Sequence, residues 1–181
     1  MISITGWLSP TRTIGLTASL FAFGACAVSW FRGRGAPERR RFAAVLTVLE
    51  AALFLDMVFN GRWLLHGFVD RAAIAKGVYG ERSGPQIAML FLLACATATG
   101  MGVLLWRFRG RTGASFAACG VFFSLICWCV EVVSLHAVDA MLYQTFHGFM
   151  AVCLAWITCA LMTGLGILSD TFPVGVGRRL E

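Results

Sequence analysis

The chain has 181 residues, 59% of them hydrophobic and only 13% charged, with a mean hydropathy of +0.79 and a net charge of +6. Such a composition cannot supply the polar shell of a water-soluble domain, and its length predicts one compact unit over residues 1–181. The positive charge does not describe a nucleic-acid surface, because the basic residues sit in short links between long apolar runs.

Five apolar stretches cover residues 13–31, 42–59, 87–106, 116–135 and 146–168. Each has about the length a helix needs to cross a hydrocarbon core of roughly 30 Å. None alternates with a period of two, and irregular backbone cannot face lipid, so barrel strands are excluded and helices are required. The predicted fold is all-α: a polytopic integral membrane protein with five transmembrane helices in one bundle.

Pro10 and the hydroxyls of Thr11 and Thr13 can start the first helix. Its apolar run is longer than that of a signal peptide, and Phe23-Gly24-Ala25-Cys26 lacks the leucine-like residue of a lipoprotein cleavage box. A retained helix is predicted. The Arg32–Arg41 link, with Gly33, Gly35 and Pro37, ends this helix and restarts the chain. The second helix is predicted to pass Phe59 and reach Asn60 or Trp63, with Arg62 and Trp63 in the headgroup layer. From Leu64 to Val78 one apolar side faces a polar one, which predicts a short helix in the outer interface. Ser83 and Pro85 read as the cap and first turn of the third spanning helix, and Asp170 to Pro173 closes the last.

Ten of the 15 basic residues share one side: Arg32, Arg34, Arg39, Arg40, Arg41, Arg107, Arg109, Arg111, Arg178 and Arg179. The positive-inside rule makes that side cytoplasmic and places the N-terminus outside, in a multi-pass protein of a bacterial-type inner (plasma) membrane. All seven cysteines fall within spanning segments without a Cys-x-x-Cys pair, and read as small buried hydrophobes. Phe31-Arg32-Gly33-Arg34 and Phe108-Arg109-Gly110-Arg111 hint at a duplication, as do the equal spacings Glu50–His66 and Glu131–His147. The two matches need different offsets, 77 and 81 residues, which argues against a true repeat.

Ionisable residues inside or beside the spans are the functional candidates. Glu50 lies nine residues beyond Arg41, roughly 13 Å deeper along a helix. At that depth a carboxylate facing lipid is excluded, so Glu50 must face other helices. Thr97, Thr99, Ser124 and Thr158 are its candidate partners by chemistry. Asp56 and Asn60 share a face one turn apart; Arg62 is near enough in depth to pair with Asp56 if the helix end bends, but its angular position is poor.

A second concentration lies at the outer end of the fourth helix: Glu131, His136, Asp139, Tyr143 and His147. If that link is helical, His136 meets Asp139 and Tyr143 meets His147. Glu131, His136, Asp139 and His147 are the candidate ligands of a transition metal, since imidazole and carboxylate are reasonable donors for one. Glu50, Asp56, His66 and Tyr143 are the candidate cofactor- or ligand-binding residues. No His-Glu-x-x-His or Glu-x-x-His motif strengthens the metal reading. Haem is weaker still, because every histidine lies at a helix edge rather than deep in a span. A quinone-like, lipid-soluble ligand is the other cofactor considered.

Ser134 lacks the elbow of a nucleophile, and the glycines of the basic links lack a phosphate-loop pattern. Gly100, Gly102, Gly164 and Gly166 predict close helix contacts, within the chain or with a partner. Three functional readings follow. One is an outward-facing carboxylate/histidine site for a small ligand or metal. Another is a structural or assembly subunit of a membrane complex. The third is a quinone- or haem-linked oxidoreductase subunit. The expected partners are membrane lipids and a membrane-protein subunit or a second copy, with no nucleic acid.

Overall fold

The computed structural model describes residues 9–33, 36–77, 79–146 and 149–172. It is an all-α bundle in which five long apolar helices have the dimensions of membrane spans: α1 (Pro10–Arg32), α2 (Pro37–Phe59), α4 (Ser83–Arg107), α5 (Thr112–Val133) and α7 (Ala151–Thr171). Two shorter helices, α3 (Gly61–Ala75) and α6 (His136–Leu142), lie at the end of the bundle opposite the arginine-rich links. Below, these ends are the polar end and the basic end.

Local chemistry sets most boundaries. Ser9 caps α1 by accepting from the Arg12 amide, and Pro10 occupies the first helical position. The link between the first two helices is shorter than the sequence suggests. Pro37 starts α2, so Arg39, Arg40 and Arg41 lie in its first turns and not in a loop. α2 ends where Asn60 adopts a left-handed conformation, φ 59°. Arg12 reinforces that end, donating from Nη2 to the Val58 carbonyl at 2.6 Å and to that of Met57 at 3.4 Å. The predicted interfacial helix is present as α3, beginning three residues earlier than Leu64. Ser83 does not cap α4: a 3₁₀ turn over Tyr79–Glu81 already winds the chain, and Arg82 takes the cap position without capping the helix through its side chain.

The link between α5 and α7 departs most from expectation. Ser134 turns left-handed at φ 47° and stops α5. The chain then forms α6 and a two-stranded antiparallel hairpin, β1 (Thr145–Phe146) and β2 (Phe149–Met150), with Thr145 opposite Met150. A continuous helical link from His136 to His147 is therefore not formed.

α7 packs between α5 and α1, and α1 packs on α2. The α5–α7 seam depends on absent side chains. A Cβ on Gly120 would meet the Cys159 carbonyl oxygen at 2.8 Å, and one on Gly166 would meet that of Gly113 at 2.8 Å. Two backbones touch here, the contact that replaces the hydrophobic effect between helices in lipid. Gly164 and Gly100 instead receive the rings of Phe21 and Phe122, while Gly102 faces open space. Toward the basic end Ala25, Cys26, Ala43, Leu46, Ala117, Val121 and Ile167 form the core shared by α1, α2, α5 and α7. α4 stands apart: it packs chiefly on α5 and none of its residues is buried.

Asp170 closes the basic end. Its carboxylate accepts from Arg111 Nη2 at 2.6 Å, and its carbonyl accepts from Arg39 Nη1 at 3.3 Å. One buried acid thus ties the end of α7 to the starts of α5 and α2. Asp170→Asn removes the negative charge that Arg111 holds through two hydrogen bonds in a partly exposed pair, with an expected loss of about 1–2 kcal/mol in reversible unfolding from mixed micelles. An unchanged unfolding midpoint would show that the clamp contributes nothing.

Candidate functional site

The polar end is organised around Arg62. Its Nε donates to Asp56 Oδ2 at 2.8 Å and its Nη1 to Glu131 Oε2 at 2.6 Å. On an unbroken helix residues 56 and 62 would lie on different faces. The left-handed turn at Asn60 redirects the chain, and Gly61 leaves room for the carboxylate: a Cβ there would meet Asp56 Oδ1 at 2.8 Å. Asp56 therefore pairs with Arg62, as a bend at the helix end allows, and its backbone carbonyl, not its carboxylate, receives the Asn60 backbone N–H.

Glu131 is enclosed by donors. Trp156 Nε1 donates to Oε1 at 3.0 Å, and the Tyr143 hydroxyl lies 3.5 Å from Oε2. The Arg62 guanidinium carbon also stands 5.5 Å from the Trp156 ring centroid. Gly15 makes this possible, since a Cβ on it would meet the Trp156 ring at 2.8 Å. Side-chain exposure is 6% for Arg62 and 2% for Glu131, so this charge group is genuinely buried. Burial alone would lower the Arg62 pKa, but Glu131 and Asp56 outweigh it and hold it above its ordinary value. Burial, followed by the charges of Glu131 and Asp139, raises that of the Tyr143 phenol. One cation shared by two carboxylates and packed on an indole joins α2, α3, α5 and α7.

Arg62 also separates two spaces. Above it a cleft of about 430 Å³ runs past Asn60, Trp63 and Tyr143. Below it a narrow cavity of about 30 Å³ reaches Glu50. Glu50 faces other helices, as expected, with 2% exposure. Among the described residues its Oε1 has no hydrogen-bond partner. Of the four partners considered, Ser124 lines the same cavity, while the Thr97 hydroxyl bonds the Leu93 carbonyl of its own helix. Thr163 on α7, not foreseen, is a buried hydroxyl near the carboxyl, and among the described residues it too makes no hydrogen bond.

His66 belongs to a different pocket, of about 600 Å³, between α3, the start of α4 and the end of α5. Apolar side chains such as Leu65, Val69, Met89 and Val132 form much of its wall. At its polar side His66 Nε2 lies 3.3 Å from Asp70 Oδ2, and Arg82 Nη1 donates to Asp70 Oδ1 at 3.0 Å. His66 Nδ1 faces the Val132 carbonyl at 3.3 Å. A neutral imidazole can serve one of these acceptors; only the imidazolium serves both. Gln86 Nε2 donates to the Val133 and Ser134 carbonyls at 3.0 and 3.1 Å, bracing α4 against the end of α5.

The metal expectation finds no support among the described residues, where no group of three or more His, Cys, Asp or Glu side chains gathers for ligation. Glu131 is committed to Arg62 and Trp156. His136 is exposed at the start of α6 and does not pair with Asp139, which accepts from the Ser134 hydroxyl at 2.5 Å. The turn at Ser134 displaces both from a helical continuation of α5. His147 lies outside the described residues, so the Tyr143–His147 pairing and any haem through His147 rest on the sequence alone.

Arg62, Trp156, Asp70 and Arg82 were not among the predicted site residues. Arg62 could have been found by asking what neutralises Asp56 and Glu131 at one depth. The chain matches no known family model, no curated protein and no solved structure.

Proposed function

We propose that this protein binds a lipid-soluble ligand with a polar head at the outer face of a bacterial-type inner membrane. The N-terminus is outside and the arginine-rich links are cytoplasmic. The observation that carries the reading is the α3–α4–α5 pocket. Its volume of about 600 Å³ suits a small-molecule site, and apolar walls lead to a polar side formed by the His66–Asp70–Arg82 group and Glu81. Arg82, which His66 helps to place through their shared Asp70, carries guanidinium N–H donors suited to acceptor oxygens on the head, while the walls accept a hydrocarbon portion. Quinone-class molecules have both features and are the first ligands to test. The Arg62 cluster acts as the clasp that fixes α3 beside α5, so that the pocket keeps its shape.

Purification in a mild detergent, followed by solvent extraction and mass analysis, tests the assignment. One amphiphile species is expected at near-stoichiometric amount with the unaltered protein. It should fall about tenfold with Ala73→Trp, which fills the pocket, and with His66→Leu, which removes the imidazole that holds Asp70 at the pocket's polar side. Equal lipid content in all three proteins would rule the pocket out.

The orientation has its own test. Cysteines engineered into the 108–111 link between α4 and α5 should resist an impermeant thiol reagent applied to intact cells and react after permeabilisation. Efficient labelling of intact cells would reverse the topology. The assembly-subunit reading is favoured by one observation, the absence of any buried residue on α4, which leaves a full helix face for a partner.

A further inference from the structure

We infer that Glu50 is a proton-binding site within the bilayer that exchanges with the aqueous cleft through a partition made by Met57, Arg62 and Trp156. These three residues line both the cleft of about 430 Å³ and the narrow cavity of about 30 Å³ that reaches Glu50. Cleft and cavity therefore share a wall one side chain thick. A volume of about 30 Å³ holds one water molecule. Ser19, Ser124 and the Glu50 carboxyl provide polar groups for it.

The charge distribution gives the carboxyl a reason to hold a proton. Arg62, the cation nearest the cavity, already serves Asp56 and Glu131, so this group carries one positive and two negative charges. An ionised Glu50 would add another negative charge in an apolar setting without its own partner. The titratable groups facing Glu50 from its neighbours are Cys26 on α1, Cys159 on α7 and Arg62 on α3. α5 contributes only the uncharged Ser124 and Trp128. The transfer is simple. The O–H bond of the Glu50 acid breaks, the proton passes to a cavity water, and an O–H bond forms on water in the cleft. Return follows the reverse path. This inference is independent of the lipid-soluble ligand, since neither the cleft nor the cavity shares a lining residue with the α3–α4–α5 pocket.

Infrared spectroscopy of the full chain in lipid nanodiscs, with ¹³C-labelled glutamate, tests it. The chain has five glutamates, Glu38, Glu50, Glu81, Glu131 and Glu181, so variants are needed for assignment. A protonated-carboxyl C=O band carrying the isotope shift is expected, absent in Glu50→Gln. In Glu50→Asp, which keeps a carboxyl and guards against misfolding, an unlabelled band should replace it. The band should shift on transfer to D₂O, and about tenfold faster in Met57→Ala, which thins the partition. Absence of the band throughout the pH range of the folded protein would overturn the inference. So would a band that does not shift in D₂O, or equal exchange in Met57→Ala and the unaltered protein.

Discussion

Arg62→Leu should destabilise the bundle by about 3–5 kcal/mol, because it leaves two carboxylates buried together without their cation. Glu131 would suffer most: its side chain is 2% exposed and its closest bond is the 2.6 Å contact with Arg62. Trp156 and Tyr143 remain as donors, but neither supplies charge. Arg62→Lys should fall between, since an ammonium on a flexible stem cannot reproduce two directed bonds to separate acids. The triple change Asp56→Leu, Arg62→Met and Glu131→Leu should recover most of the loss, as apolar replacement of a whole buried ionic group often does. Reversible unfolding in mixed micelles measures all three. A change below about 0.5 kcal/mol in Arg62→Leu would mean that water, not Arg62, solvates these acids.

The second large effect is expected at the α5–α7 seam. Gly120→Leu inserts a side chain where the first carbon already meets the Cys159 carbonyl oxygen at 2.8 Å. Overpacking costs about 1–3 kcal/mol when side chains can yield; here backbone must move, so a loss at or above that range is expected. Gly102→Leu is the matched control, with nothing within 4 Å of the added carbon. Size-exclusion yield and thermal midpoint in detergent should separate the two variants clearly. Similar behaviour would show that the seam is looser than its geometry implies.

The five spans were legible because length and uniform apolarity are properties of sequence alone, as was the inward burial of Glu50. The interfacial helix was legible from its change of pattern. The clasp was not, because it depends on the left-handed turn at Asn60. Arg62 could reach Asp56 only if the helix end bent, and although Asn tolerates the left-handed turn that makes the bend, it does not require it; without that turn Arg62 and Asp56 diverge. The same limit hid the end of α5, where a left-handed Ser134 rearranges His136 and Asp139. Both errors concern joints, where one residue's backbone angle redirects every side chain beyond it. The seam was half legible: Gly166 was recognised, but Gly113 and Gly120 became meaningful only once α5 had a partner. His66 was singled out for its chemistry, although its partner Asp70 lies one turn along the same helix and was passed over.

The most direct measurement of ligand binding is site-specific photocrosslinking in native membranes. Benzoylphenylalanine placed at Met89, on the pocket wall, is compared with the same residue at Val103, exposed farther along α4. If the α3–α4–α5 pocket holds a specific amphiphile, position 89 should yield one predominant small-molecule adduct that Ala73→Trp abolishes, while position 103 yields the mixed adducts of bulk lipid. Identical mixed adducts at both positions, unaffected by Ala73→Trp, would contradict the proposed binding site.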